Sequence, residues 1–236
     1  MNKKIAIVTG GSRGIGKHVA FNLAQNNYHV ILLSRTKNTL EKTTNKINSN
    51  NGSASYFVVD VSNSIQVKDC IDSIIKLYGN IDVLFNNAGI AKAGTSDISD
   101  SDLDELLKIN LHGAIYVAKH VAQYMKKQKS GYIMNLSSMS GKRAVPAAGA
   151  YAATKFGLNG FGEALHKEMA AYGVKVTNIC PSYVATDMVK DDDFDFKTMI
   201  ETNDIVKTVN YLLSLSKNAV PPDVPINCIN YVAQNQ

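Results

Sequence analysis

Cysteine is scarce in this 236-residue chain and never clustered. Cys70, Cys180 and Cys228 stand alone, with no Cys-x-x-Cys pair and no histidine at ligand spacing, so neither a disulfide framework nor a metal site is expected. Each reads as a small core residue. Apolar runs approaching 18 residues are missing too, which excludes a membrane-spanning helix. The chain passes from Lys3 and Lys4 straight into a strand-like stretch, without a signal-peptide cleavage pattern. A reduced, cytoplasmic protein is expected. Long blocks of one charge are also absent. The net charge of +5 comes from scattered lysines, and the densest group, Lys126, Lys127 and Lys129, falls where a helix ends and cations meet its negative pole. Nucleic acid and membrane are therefore not expected partners. Linkers, repeats and low-complexity tracts are lacking, so residues 1–236 read as a single domain with an ordinary apolar core.

What is present is a regular alternation of apolar runs of strand length with longer stretches of helical period. That alternation is the pattern of an α/β protein whose parallel sheet is covered on both faces. Seven strands are readable: Lys4 to Thr9, His29 to Ser34, Ala54 to Val59, Val83 to Asn86, Gly131 to Leu136, Lys175 to Ile179 and Val224 to Cys228. Helices are expected near 14–26, 38–49, 64–78, 101–127 with a break near Gly113, 151–171 and 203–215. The expected fold is a Rossmann-like, doubly wound, seven-stranded parallel sheet. The stretch 183–202 has no clear structure, and an irregular segment of that length suggests a substrate loop.

Two sets of residues carry chemistry. After the first strand comes Thr9-Gly10-Gly11-Ser12-Arg13-Gly14-Ile15-Gly16, leading into a helix. Glycines in that context let backbone amides approach a pyrophosphate at the positive end of the helix. Farther on, Tyr151 and Lys155 stand one helical turn apart, and Ser138 lies thirteen residues before the tyrosine. An ammonium close to a phenol favours its ionised form, so the spacing predicts a tyrosine with a lowered pKa. Ser137 is the adjacent alternative to Ser138.

The Thr-Gly-x-x-x-Gly-x-Gly pattern, Asn86-Asn87-Ala88-Gly89, Asn110, Ser138 and Tyr151-x-x-x-Lys155 together resemble the short-chain dehydrogenase/reductase family, from Ile5 to about Met188. The resemblance implies a nicotinamide dinucleotide. Gly10, Ser12, Gly14, Ile15 and Gly16 would surround its pyrophosphate, with Asp60 and Val61 against the adenine. Asn87 would brace the sheet near the adenine ribose, with Ala88 and Gly89 beside it. Pro181, Val184 and Thr186 would lie at the nicotinamide end. Ser34 stands at the end of the second strand, where a carboxylate would repel a 2′-phosphate, and Arg35 with Arg13 can pair with that phosphate. NADP(H) is the expected cofactor. Tyr151 is implied as the general acid or base, Ser138 as the group that orients the carbonyl oxygen, and Lys155 as the partner of both the tyrosine and the nicotinamide ribose. Asn110 would hold a water leading from Lys155 to solvent, or serve the helix break as a satisfied amide.

The expected activity is reduction of a ketone or oxidation of a secondary alcohol, closest in look to 3-oxoacyl-carrier-protein reductases. A reductase of small ketones, sugars or hydroxy acids, and a regulator that senses NADPH without turnover, are the alternatives. Tyr183, Met188, Val189, Phe194, Phe196 and Met199 offer an apolar cover for substrate. Lys142 and Arg143 suggest an anionic or carrier-linked substrate, or else simply solvated loop charges. The chain departs from the family at Pro181-Ser182, where a glycine is usual. It departs again in the glycine-free segment Asn218 to Gln236, where relatives carry a glycine-rich subunit contact. A homodimer or homotetramer is expected, with the helix bearing Tyr151 as a dimer face.

Overall fold

A computed structural model describes residues 3–189, 196–229 and 232. Phe194 and the acidic run Asp191 to Asp193 lie outside the described residues. Seven strands form one parallel sheet in the order β3-β2-β1-β4-β5-β6-β7. They are β1 (Lys4–Thr9), β2 (Tyr28–Ser34), β3 (Ala54–Val58), β4 (Val83–Asn86), β5 (Gly131–Leu136), β6 (Val174–Pro181) and β7 (Asp223–Ile226). The helices between them are α1 (Gly14–Gln25), α2 (Lys37–Ser49), α3 (Ser64–Tyr78), α4 (Asp100–Leu106), α5 (Ala114–Gln128), α6 (Gly149–Ala170) and α7 (Thr202–Ser214). Every predicted strand and helix has its counterpart.

Period-two alternation decides which face each strand residue meets. In β1, Ala6 and Val8 join the core under α1, α2 and α7, which includes Leu23, Leu40 and Val209. Ile5 and Ile7 join the opposite core under α3, α5 and α6, with Ile71, Val121 and Leu165. Both faces of the strand are apolar because both are covered. Strand order reverses between β1 and β4, and the crevice at the carboxyl ends of such a pair is where open α/β sheets bind ligands.

Three local departures have physical reasons. The predicted break near Gly113 is a seven-residue π-helical segment, Leu107–Gly113, between α4 and α5. A side chain at Gly113 would meet the Val61 carbonyl oxygen at 3.1 Å, so glycine lets the widened turn lie against the end of β3. β7 is shifted to Asp223–Ile226, and Cys228 instead packs beyond the strand, its thiol donating to the Thr198 carbonyl at 3.0 Å. The expected loop 183–202 is pinched at its base by a bridge between Val184 and Ile200. Ala185 N donates to Ile200 O at 2.9 Å, and Ile200 N to Tyr183 O at 3.0 Å. Short 3-10 turns at Asp187–Val189 and Phe196–Thr198 flank the undescribed tip. All three cysteines are buried and unpaired.

Candidate active site

The turn after β1 is shaped by its glycines. Gly10 and Gly14 hold φ of 62° and 51°, a region that costs any other residue. A Cβ at Gly16 would lie 2.5 Å from the Gly10 carbonyl oxygen. Arg13 is the N-cap of α1 in extended conformation, its side chain makes no capping hydrogen bond, and no acidic residue stands in the first turn. The helix thus meets the crevice with amide donors that no side chain caps, which is what a phosphate requires. Ile15 is half-buried beneath this turn, and Ser12 O accepts from Thr43 Oγ1 at 3.2 Å, tying the turn to α2.

Thr9, a member of the motif to which no separate role was assigned, holds the opposite wall. Its Oγ1 accepts from Asn87 N at 2.8 Å and Ala88 N at 2.9 Å, and donates to Asn86 Oδ1 at 3.3 Å. Asn87 Nδ2 returns a bond to Thr9 O at 2.9 Å and a longer one to Gly10 O at 3.3 Å. The adenine side is less committed. Ser34 Oγ accepts from Thr36 N at 3.4 Å. Asp60 Oδ1 accepts from Ser62 N at 3.0 Å and from Ser62 Oγ at 2.7 Å, and Val61 is buried. Arg35, Ser62, Lys108 and Ile109 line a cavity of about 310 Å³. A second cavity, about 230 Å³, lies between Gly14 and His18 of α1 and Ala185, Thr186 and Phe196. Pro181 and Val184, at the end of β6, are buried. His18 belongs to this rim and was missed, because an isolated histidine inside a helical pattern carries no signal.

The third wall is the end of β5 and α6. Ser138 follows β5 in extended conformation, and its Oγ accepts from Ser140 N at 3.0 Å. It also acts on the Tyr151 phenol, favouring its ionised form. Ser137 turns the other way, donating to the Lys155 carbonyl at 3.4 Å. The structure therefore joins Ser138, not Ser137, to the tyrosine. Lys155 is 5% exposed, and its Nζ sits 5.6 Å from the Tyr151 ring centroid while donating to Leu136 O at 3.1 Å. Burial drives both groups toward neutrality. Tyr151 is pushed up to about 12 although Ser138 acts to lower it, and Lys155 is brought down to about 8. In this arrangement Tyr151 is raised where a lowering by Lys155 was expected, because desolvation of the phenol is the largest influence on it.

Asn110, in the π-helical segment, clasps the loop after β4. Its Oδ1 accepts from Ile90 N and its Nδ2 donates to Ile90 O, both at 2.8 Å. These bonds go to the loop after β4 and not to the helix break that the amide was expected to serve. Gly89 lies between it and Lys155, since a Cβ there would be 3.3 Å from Asn110 Oδ1 and 3.8 Å from Lys155 Nζ. Thr154, also unforeseen, donates to the Tyr151 carbonyl at 2.7 Å and fixes the first turn of α6. Lys142 is taken up by Asp223, 2.8 Å away. Among the described residues no cluster of three histidine, cysteine or acidic side chains is placed to hold a metal, and no helix is long and apolar enough to cross a membrane.

The whole chain is similar in sequence and fold to known proteins. The chain is 31% identical over 226 residues to a 3-oxoacyl-[acyl-carrier-protein] reductase of Staphylococcus epidermidis, covering 91% of this chain and 92% of the relative. A solved β-ketoacyl-[ACP] reductase from Bacteroides thetaiotaomicron matches at TM-score 0.86 and 33% identity, over 99% of this chain and all of that one. The structure of ElxO with NADP bound matches at TM-score 0.88 and 28% identity, over 98% of this chain and all of that one. Residues 4–195 match the family described as short chain dehydrogenase. With sheet order, crevice and sequence in agreement, the chain belongs to the short-chain dehydrogenase/reductase family of oxidoreductases.

Proposed function

We propose that this oxidoreductase reduces a ketone to a secondary alcohol, or runs the reverse oxidation, with NADP(H). The observation that carries this reading is the buried ammonium of Lys155, 5.6 Å from the Tyr151 ring centroid, with Ser138 acting on the same phenol. When bound, the nicotinamide supplies or accepts the hydride. The chain's own residues manage the oxygen. Ser138 donates to the carbonyl oxygen as negative charge grows there, and Tyr151 delivers the proton to that atom or removes it in oxidation. Lys155 stays protonated most readily when an anion or a hydroxyl-rich ligand replaces its lost hydration, so its charge at Tyr151 strengthens as the crevice fills.

NADP(H) is favoured over NAD(H) by Ser34 in place of a carboxylate, with Arg35 lining the neighbouring cavity and Arg13 at the head of α1. Within the family the substrate reading nearest to this chain is a 3-oxoacyl group, carrier-linked or otherwise thioester-bound. Lys142 does not support the carrier, being paired with Asp223, whereas Arg143 is exposed and makes no ion pair among the described residues.

A homodimer through α6 is supported by Phe156, which is 46% exposed on that helix, and by Gly160, which has open space above it. The edge strand β7 is a poor second interface. Val224 and Ile226 turn their backbone toward β6, leaving Pro225, which has no N–H, on the free edge. The test is NADPH oxidation against acetoacetyl thioesters, diketones, aldehydes and sugars, with NADH in parallel, and light scattering for subunit number. Turnover of a thioester with higher kcat/KM for NADPH is the expected result. Preference for NADH would overturn the cofactor assignment, and tight NADPH binding without turnover of any carbonyl would overturn the reaction.

A further inference from the structure

A row of buried side chains crosses the sheet beneath the crevice. Asn86 of β4 is in register with Asn135 of β5, Asn135 with Asn178 of β6, and Asn178 with Asp223 of β7. Each donates to the next: Asn86 Nδ2 to Asn135 Oδ1 at 3.1 Å, Asn135 Nδ2 to Asn178 Oδ1 at 3.2 Å, and Asn178 Nδ2 to Asp223 Oδ1 at 3.3 Å. Thr9 begins the row by donating to Asn86 Oδ1. All four members before the aspartate are 3% exposed or less.

The direction of the row is fixed by groups that can only accept. The second N–H of Asn86 goes to Ala114 O at 2.9 Å, and that of Asn178 to Asn159 O at 3.3 Å. Asp223 closes the end as a carboxylate. Every amide therefore turns its oxygen toward β1, and Thr9 must spend its single proton on Asn86. Its lone pairs are left for Asn87 N and Ala88 N, which form the crevice wall. The other carboxylate oxygen of Asp223 takes Lys142 at 2.8 Å, across 81 residues. Lys142 follows the 3-10 turn Met139–Gly141 that leads away from Ser138. One carboxylate on the edge strand thus holds the ends of two walls.

We propose that Asp223 is a positioning residue, which orders the Asn87–Ala88 wall through the amide row and the turn after Ser138 through Lys142. The functional part of this proposal rests on reading the crevice as the NADPH and carbonyl site. Three variants separate the two arms. Asp223→Val removes both, Asp223→Asn keeps an acceptor for Asn178 but loses the ion pair, and Lys142→Ala loses only the ion pair. Hydrogen exchange, which does not depend on activity, is the first readout. In Asp223→Val the amides of Asn87 and Ala88 are expected to exchange about tenfold faster, while those of Ile7 and Ile133 in the core stay within about twofold. In Lys142→Ala only the amides of Ser140 to Arg143 should quicken.

In parallel, the NADPH Kd is expected to rise about fivefold in Asp223→Val and to stay within about twofold in the other two, whose shared loss of kcat, about threefold, should not deepen when they are combined. Unchanged exchange at Asn87 and Ala88 in Asp223→Val overturns the proposal, as does an equal rise throughout the sheet, which marks general destabilisation. If wild-type protein fails to bind NADPH while the exchange pattern holds, the functional reading has failed and the positioning has not.

Discussion

Two of the walls of the crevice, the β1–β4 side and the β5–α6 side, treat their polar groups in opposite ways. On the β1–β4 side the hydroxyl of Thr9 uses its donor and both acceptors within the protein, and Asn86, Asn87 and Asn110 likewise bond backbone or neighbouring side chains. On the β5–α6 side, Tyr151 has Ser138 and Lys155 has one carbonyl, and burial pushes both toward their neutral forms. The first wall is a frame tied together by hydrogen bonds within the protein. The second holds reactive groups whose charged states are incompletely solvated, so that a reacting oxygen or a bound ligand completes them. Geometry is held by satisfied groups and reactivity by unsatisfied ones.

The sharpest way to break this contrast is Tyr151→Phe. Loss of the proton donor should lower kcat/KM by about 10²- to 10⁴-fold, while the NADPH Kd stays within about twofold. Steady-state kinetics and fluorescence titration check both halves. A variant that keeps its rate would show that Tyr151 belongs to the frame.

Lys155→Met tests the cost of the second wall. Lys155 titrates near 8 in the folded protein against 10.5 for a free lysine, so below pH 8 both states carry the charge and only the folded one bears its burial. Between pH 8 and 10.5 the unfolded chain binds more protons, and stability rises with pH. Tyr151 acts in the opposite sense above pH 10, where the folded state retains the proton that the unfolded chain releases, and stability falls. The methionine variant is therefore expected to be more stable than wild type at pH 7, by up to about 3 kcal/mol, and to lose that advantage toward pH 10. Urea melts at pH 7, 8, 9 and 10 measure it. A variant less stable at pH 7 would place Lys155 in the frame.

Thr9→Val makes the complementary test. It preserves shape but leaves Asn87 N, Ala88 N and Asn86 Oδ1 without their partner, a loss of about 2 kcal/mol from stability. Thr9→Ser should restore most of it. Equal stability of the valine variant would mean that water replaces the hydroxyl at this wall.

The same division governs what could be read in advance. The strands and their parallel pairing were legible because apolar runs such as Ile5 to Val8 and Ile31 to Leu33 are buried on both faces, and burial writes itself into composition. Thr9 and Asn87 stood inside recognisable motifs, but their mutual bonds join residues 78 apart, which no local pattern encodes. A single asparagine near the end of three apolar strands, at 86, 135 and 178, was the available sign of the buried row. The pairing of Lys142 with Asp223 left no sign, nor did the π-helical segment, whose apolar residues keep helical spacing. The shift of Tyr151 was misjudged for a physical reason. Sequence displays the charge of Lys155 at i+4 but hides the burial that outweighs it.

The smallest effect on stability, and a selective one on activity, is expected in the loop that lies against the glycine turn and the start of α1. Met188 is 49% exposed and Phe196 39% exposed, whereas Val184 and Ile200 at the base of the loop are 6% and 7% exposed. The base is packed and bridged, and the outer residues present apolar surface next to the Thr186 cavity. Changing Met188 or Phe196 to Ser removes contacts that water already shares, so stability should move by less than about 0.5 kcal/mol. An apolar substrate would lose buried area on binding, raising its KM about fivefold, at roughly 25 cal/mol per Å² for some 40 Å² of lost contact. Val184→Ala should reverse the pattern, costing about 1 to 2 kcal/mol of stability through the cavity it opens beneath the loop. Thermal melts and KM values for a long-chain and a short-chain ketone read the two effects separately. A rise in KM confined to the long chain would identify the loop as the part of the molecule that selects substrate by apolar area, on a frame that does not take part in the choice.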